Sequence, residues 1–439
     1  MTKVSNLYVL SPSIKYRREQ FGGLVYSKLT HSTRFFNHAA CFAIEQFIQP
    51  NSFESVQNLL EKLVDKSEDQ YSFLRGLDES GIIEQANSST LDWYNSEKNK
   101  GPVFFTDITA FPSDRFYTPI GVELELTLKC MRRCSYCAYD SSPDVDTARQ
   151  LSHLEYKELL NQFTDLGVFY LRFTGGDPLT RPDCLDILSD ADKLDFAIAL
   201  GSDLTVLTEE QAKRLGRLNN LTALQTTLDG SVPEIADRLR GRGNFKQVMR
   251  GISLLSENSV PLIVGTVLTK LNVNDIYNIA KLLSKWDLAY CVSPLYDSGR
   301  AISQKDLIPD DEELAYAYEQ FADAVREGLI RPADPGWKPL AADLPSDKRY
   351  SLWKSQPWLL RVPDRLLRID PWGRCYTSIH LKEILGDEVY VGKWPECDLM
   401  ELWNSAPLLN ELREASQSNP YFGNVVDIRQ LQKLQGEKQ

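Results

Sequence analysis

The sequence predicts an α/β protein whose centre is a partial, open parallel barrel. Two observations lead there. From about residue 119 to 300, short apolar runs alternate with amphipathic helical stretches six times, the signature of βα units around a parallel sheet. Six repeats are too few for the eight of a closed barrel. Directly after the first of these runs, three cysteines crowd into one loop, Cys130, Cys134 and Cys137. That is the C-terminal end of a strand, where α/β proteins place their chemistry.

The chain has 439 residues, 42% apolar and 25% charged, with a net charge of −12. This is a globular composition long enough for two to four domains. The acidic balance argues against nonspecific nucleic-acid binding, which needs a basic footprint. No run approaches the ~20 apolar residues of a membrane span, and the first residues lack a signal-peptide core. A cytoplasmic, membrane-free protein is expected, and its eight cysteines then suit metal binding or catalysis better than disulfides.

Residues 1–90 read as a separate unit. Tyr8–Leu10 and Leu24–Tyr26 are strand candidates between the turn signals Ser11-Pro12 and Gly22-Gly23. Asn37 is placed to cap a helix carrying Cys41, Ile44 and Ile48. Asn51 with Glu54 opens another, with Val56, Leu59, Leu60 and Leu63 on one face. Strands followed by helices predict a small winged-helix-like module. The first fifty residues hold six Lys/Arg against two Asp/Glu, so this end is basic. Residues 91–118 read as a linker, with Pro102 and Pro112.

The six predicted strands are Val122–Leu126, Phe169–Phe173, Phe196–Leu200, Leu224–Leu228, Leu262–Leu268 and Ala289–Ser293. Ser152-x-x-Glu155 is a capping box for a helix over Leu154–Phe163. Residues 301–439 are less regular. They contain an acidic helix, Asp310–Gly328, a hairpin over Leu366–Tyr376, and a final amphipathic helix with Leu399, Leu402, Trp403, Leu408 and Leu412.

The spacing Cys130-x3-Cys134-x2-Cys137 lets three thiolates reach three corners of one small cluster. Structural zinc would want a fourth ligand. No further Cys or His lies nearby except His153, inside the capping segment. With these residues in place, the chain resembles the radical S-adenosylmethionine (SAM) superfamily. The resemblance implies that Cys130, Cys134 and Cys137 hold a [4Fe–4S] cluster whose open iron chelates SAM. It also places Tyr136 near the adenine. Reduction then yields a 5′-deoxyadenosyl radical, with a one-electron donor such as flavodoxin or ferredoxin as partner. Gly175-Gly176-Asp177-Pro178 resembles the family's GGEP motif, with Asp for Glu, and is implied to meet the SAM amino group. Ser202, after the third strand, is a further candidate contact. Leu228-Asp229-Gly230 with Asp237-Arg238-Leu239-Arg240-Gly241 resembles a stretch of peptide-modifying members. Asp229 reads equally as a turn former and Arg240 as an ion-pair member.

The flanks extend the resemblance. Residues 1–90 resemble the RiPP recognition element, which binds the leader of a ribosomal precursor peptide on a sheet edge. Residues 301–439 resemble a SPASM or twitch cap. The full fold expected is therefore a partial (βα)6 barrel of the radical SAM type with an N-terminal winged helix and a C-terminal α+β cap. The cap's auxiliary-cluster site is degenerate: only Cys291, Cys375 and Cys397 are available there, and Ser378 stands where a ligand is usual. A redox-neutral reaction follows more readily, so peptide Cα epimerisation is expected first, as in proteusin-type epimerases, and oxidative crosslinking second. A non-catalytic peptide scaffold is a distant third. Cys375 is the expected hydrogen-returning thiol, with Cys397 and Cys291 behind it; a buried small hydrophobe is the plain alternative for Cys375. Tyr296, Asp297, His380 and the tryptophans Trp353, Trp358, Trp372, Trp394 and Trp403 are weaker candidates for lining the site.

Overall fold

The computed structural model describes residues 6–30, 32–62, 70–95, 116–295, 298–333, 359–361, 365–417 and 425–427. It divides into two compact units. One comprises Met1–Ile120 with Leu159–Phe169 and Lys193–Ala197, and the other holds the rest.

In the first unit, β1 (Tyr8–Leu10) pairs with β5 (Ile83–Gln85). Strands β2 (Ile14–Glu19), β3 (Gly22–Ser27) and β4 (Ser32–Phe36) form a three-stranded antiparallel sheet in that order, so β4 is an edge. Helices α1 (His38–Glu45), α2 (Phe53–Leu60), α3 (Gln70–Glu79) and α4 (Ser88–Tyr94) complete it. Tyr16, Val25, Cys41, Ile44, Phe47, Val56, Leu74 and Ile83 share its core. The Asn37 side chain accepts from Ala40 N at 2.9 Å, as the sequence predicts. The cap of α2 is Ser52, accepting from Ser55 N at 3.1 Å, rather than Asn51; Leu63 lies outside the described residues.

β2 went unread because Ile-Lys-Tyr-Arg-Arg-Glu looks polar, yet Arg17 and Glu19 are fully buried. Arg17 Nε donates to Glu19 at 2.7 Å, and its other nitrogens donate to Thr118 Oγ1, Thr118 O, Pro119 O and Gly167 O. A buried guanidinium satisfied on every side makes a polar sequence into a core strand. The linker expectation is corrected at both ends. Residues 88–94 are helical, and Phe116, Tyr117 and Thr118 are buried, with Phe116 stacked on Phe35 at 5.7 Å. Residues 96–115 lie outside the described ones.

In the second unit, β6 (Gly121–Thr127), β7 (Tyr170–Gly175), β8 (Ala197–Gly201), β9 (Leu221–Thr227), β10 (Leu262–Leu268) and β11 (Ala289–Pro294) stand consecutively in one sheet, with their registered pairs parallel. All six match the predicted strands to within a few residues. Between them run α5 (His153–Asp165), α6 (Cys184–Lys193), α7 (Glu209–Leu215), α8 (Pro233–Arg240), α9 (Asn244–Glu257) and α10 (Ile276–Leu283). The capping box is present, Ser152 N donating to Glu155 Oε2 at 2.7 Å. After α11 (Asp311–Arg326), β12 (Arg331–Pro332) extends the sheet beyond β11. A two-stranded sheet pairs β13 (Leu359–Arg361) with β17 (Val425–Asp427). At the other end β14 (Leu366–Ile369) lies parallel to β6, then β15 (Arg374–Tyr376) and β16 (Gly392–Lys393) follow antiparallel. The expected hairpin is thus part of the main sheet.

The last helices are α12 (Ile379–Leu385), α13 (Leu399–Ser405) and α14 (Pro407–Gln417). The single final helix of the sequence reading is split at Pro407, which has no N–H to continue the ladder. Trp394 and Trp403 are buried core residues, and Trp372 Nε1 donates to Ala148 O at 3.1 Å. Tyr296, Asp297, Trp353 and Trp358, and the side chain of His380, lie outside the described set. Among the described residues, no helix is long and apolar enough to cross a membrane.

Candidate active site

Side chains alternate across the parallel strands. The register puts Glu123 and Glu125 of β6, Arg172 and Thr174 of β7, Gln225 and Thr227 of β9, Gly265 and Val267 of β10, and Cys291 and Ser293 of β11 on one face. At the strands' C-terminal ends that face opens into a cavity of about 280 Å³. Cys130, Cys134, Cys137, Tyr136, Gly175, Gly176, Ser202 and Arg240 all line it. Asp177, Pro178, Asp229 and Cys375 are not among its lining residues.

The cysteine loop is held by contacts the sequence reading missed. Arg300 donates from Nε to Cys134 O (2.8 Å), from Nη2 to Ser141 O (2.8 Å) and from Nη1 to Asp140 Oδ1 (2.6 Å). Its backbone N–H reaches Cys137 O at 3.1 Å. The preceding Gly299 has φ +56°, and a Cβ there would stand 2.3 Å from Cys137 O. A glycine followed by an arginine after the sixth strand was the available signal. From the other side, Arg132 Nε donates to Thr205 Oγ1 at 2.9 Å. The Cys130 thiol donates to Asp203 Oδ2 at 3.3 Å. Burial first, and Asp203 second, raise the Cys130 thiol; burial also raises Cys134.

Gly175 and Gly176 are required by the packing of the chain itself. Gly175 has φ +118°, and a Cβ would lie 2.2 Å from Thr127 O; at Gly176 it would lie 2.3 Å from Lys129 O. The glycines let β7 end against the backbone leading into the cysteine loop. Asp177 caps the turn Pro178–Thr180, accepting from Leu179 N at 3.1 Å. Burial and the neighbouring Asp203 hold its carboxyl well above the ordinary carboxylate range. Ser202 Oγ accepts from Leu204 N at 3.1 Å.

Tyr136, Asp229 and Arg240 form one network. The Tyr136 hydroxyl donates to Asp229 Oδ2, and Arg240 Nη1 reaches the Tyr136 oxygen at 2.9 Å and Asp229 at 3.3 Å. Asp229 also accepts from Val267 N at 2.9 Å, and Asn272 Nδ2 donates to its carbonyl at 3.1 Å. Asp229 is therefore a fixed anchor rather than a mere turn former. Asp237 has a different task. It accepts from Gly243 N (2.6 Å) and Phe245 N (2.8 Å), closing the start of α9, which Gly243 at φ +81° cannot cap with a side chain.

These residues fit the expected group. Three sulfurs share one cavity. Among the described residues no three His, Cys, Asp or Glu side chains converge as a single metal ion requires, whereas a cluster offers each thiolate a separate iron. Arg240 Nε, Arg132 Nη2, Ser141 Oγ and Ser298 Oγ are buried around the same cavity without hydrogen-bond partners. Such orphaned donors suit the carboxylate and polar groups of a bound ligand.

Cys375 lies away from this cavity. On β15 the neighbouring Tyr376 sends its hydroxyl to Glu125 and so faces the barrel interior. Cys375 therefore points to the opposite side, where it is completely buried. The described cysteine on the interior face, apart from the cluster-loop thiols, is Cys291. Its sulfur lies 3.5 Å from where a Cβ on Gly265 would be, close to the cavity residue Gln225. Burial raises its thiol to about 11.

Residues 124–283 match the Radical SAM superfamily. The AdoMet-dependent heme synthase of Methanosarcina barkeri is 31% identical over 207 residues, covering 46% of this chain and 58% of that protein. Mycofactocin maturase MftC of Mycobacterium tuberculosis is 27% identical over 203 residues, covering 46% and 51%. The matched stretches thus span little more than half of these relatives. Streptococcus suis SuiB bound to S-adenosylmethionine shares the fold with a TM-score of 0.69 at 14% identity, covering 94% of this chain and 92% of that one. SuiB bound to precursor peptide SuiA gives 0.65. Residues 124–283 thus carry a radical SAM domain, the cofactors of that family being a [4Fe–4S] cluster and SAM.

Proposed function

We propose that this enzyme modifies a ribosomally made precursor peptide, with Cα epimerisation as the reaction. The observation that carries the peptide reading is β4. Among the described residues it is an edge strand of its sheet, ahead of four helices, with Arg34 exposed. An edge strand offers a ladder of backbone groups to an extended leader, and the basic balance of residues 1–50 favours an acidic one. A mycofactocin maturase and a precursor-bound SuiB stand among its relatives and fold neighbours.

The reaction is read from the thiols. Beyond residue 300 the chain has only two cysteines, Cys375 and Cys397, too few for the four ligands of an auxiliary cluster. Crosslinking removes two electrons from the peptide and needs somewhere to send them, whereas epimerisation removes none. Cluster and SAM, when bound, supply the radical that abstracts a hydrogen atom. Cys130, Cys134 and Cys137 would hold the cluster, and Arg240, with its orphaned Nε, would offer a donor to the SAM carboxylate. Tyr136 and Asp229 hold that arginine in place. The peptide Cα hydrogen leaves from one face, and the Cys291 S–H returns a hydrogen atom from the other. The Cys291 sulfur then regains an electron from a one-electron donor of the flavodoxin or ferredoxin class and a proton from water.

The test is co-expression with a precursor peptide from a neighbouring short reading frame, followed by reaction in D2O. One deuterium per D-residue is expected, lost in Cys291→Ala and retained in Cys375→Ala. Loss of two hydrogens without D-residues would replace epimerisation by crosslinking.

A further inference from the structure

The two cysteines of the C-terminal lobe meet each other. Cys375 on β15 stands directly across from Gly392 on β16. Gly392 has no side chain, and a Cβ there would lie 3.2 Å from Cys397 Sγ. The Cys397 sulfur thus occupies the space over Gly392, beside its cross-strand partner. The turn that brings it back is closed by Cys397 N donating to Lys393 O at 3.1 Å. The two environments differ. Cys375 is completely buried, its thiol 3.7 Å from Gly373 O; Cys397 is partly exposed. Neither belongs to the cavity of Cys130, Cys134 and Cys137.

We infer that Cys375 and Cys397 are a redox-active dithiol, closing reversibly to a disulfide by exchange with a small disulfide or a thioredoxin-class partner. This inference stands apart from the peptide reading and uses no part of the radical site. Cys397 is the attacking sulfur, because it is the one solvent reaches. The hydrogen bond from the Cys375 thiol draws it down to about 7, near the optimum for exchange at neutral pH. In the first step the Cys397 thiolate attacks the incoming disulfide, forms a mixed disulfide and expels one thiolate. That thiolate takes up a proton. Cys375 then gives up its own proton and attacks the Cys397 sulfur, expelling the second thiol. Two electrons pass from the pair to the partner, whose disulfide is reduced to two thiols, and the reverse exchange restores the dithiol. The bond formed would tie β15 to the turn ahead of α13. Since β15 reaches the barrel through β14 and β6, the state of the pair bears on the sheet edge that carries Tyr376 and Arg368.

The test uses the full-length, cluster-loaded protein under anaerobic conditions. It is equilibrated across ratios of reduced to oxidised glutathione, quenched with acid, alkylated, digested and read by mass spectrometry. A single disulfide-linked Cys375–Cys397 peptide should appear with one midpoint, and the iron content should not change. Cys375→Ser should leave a glutathionyl adduct on Cys397 that cannot resolve. In Cys375→Ala, which has no donor at that position, the alkylation rate of Cys397 at neutral pH should fall by about tenfold or more, as its thiolate is lost. If both cysteines alkylate independently across the whole series, or Cys397 alkylates equally fast in Cys375→Ala, the pair is not a redox couple. Iron lost in step with Cys375→Ser would overturn it in favour of a metal site.

Discussion

Arg300→Met is the most informative single change, because it tests how a loop eleven strands and helices away in sequence is held together. The guanidinium makes two bonds to loop carbonyls, Cys134 O and Ser141 O, both at 2.8 Å. A hydrogen bond from a charged donor is worth about 1.5 kcal/mol or somewhat more. The third arm reaches Asp140, whose side chain is 74% exposed, so it contributes close to nothing. Methionine keeps most of the apolar stem and the backbone bond to Cys137 O. The loss is therefore about 3 kcal/mol, roughly a hundredfold in the equilibrium between the closed and open loop. The assay is iron and sulfide per chain after anaerobic reconstitution, with the cluster's optical spectrum, beside a thermal unfolding curve. Cluster retention on dilution should fall steeply while the unfolding midpoint shifts little, since the contact is local. Equal cluster retention in Arg300→Met and wild type would show that the cysteine loop is preorganised without the clamp, and the reasoning would fail.

Three further outcomes are expected. Gly175→Ala should destabilise by about 3 kcal/mol or more, because its Cβ meets Thr127 O at 2.2 Å; Gly243→Ala, with open space around it, should cost only about 1–2 kcal/mol, and equal Tm shifts for the two would refute the steric argument. Arg240→Lys should weaken SAM binding to the reconstituted protein while leaving iron content intact, because a lysine has one nitrogen and cannot hold Tyr136 and Asp229 while also offering the free Nε–H; unchanged affinity by calorimetry would remove Arg240 from the SAM site. Burial is the main cause raising Glu125 to about 8 from 4.5. The native state therefore keeps a proton that the unfolded chain has released, and stability falls as pH rises through that window. Glu125→Gln should gain in Tm over wild type progressively from pH 5 to 8 and level off above; a gap independent of pH would show that the carboxyl is not the cause.

The sequence by itself determined the radical SAM domain and the sheet that frames it. Six apolar runs at regular spacing specify a parallel sheet, because strands covered on both faces need continuous apolar character. The three cysteines, the Gly-Gly turn and Arg240 are local patterns, and their neighbourhood in the chain is enough to bring them to the same ends of the strands. The tertiary structure decided what depends on distant partners. Arg17 and Glu19 look like surface charges until Thr118, Pro119 and Gly167 surround them. Arg300 gives no local sign that its side chain ends on the carbonyls of residues 134 and 141. The Gly175-Gly176 turn gives no local sign that a Cβ at either position would meet the carbonyls of Thr127 and Lys129. Cysteines 375 and 291 differ in a way no spacing can show. Alternation fixes that neighbours on a strand face opposite ways, but only the pairing of β15 through β14 to β6 says which of the two sides is the interior. That register turned Cys375 away from the cavity and toward Cys397, and left Cys291 facing in.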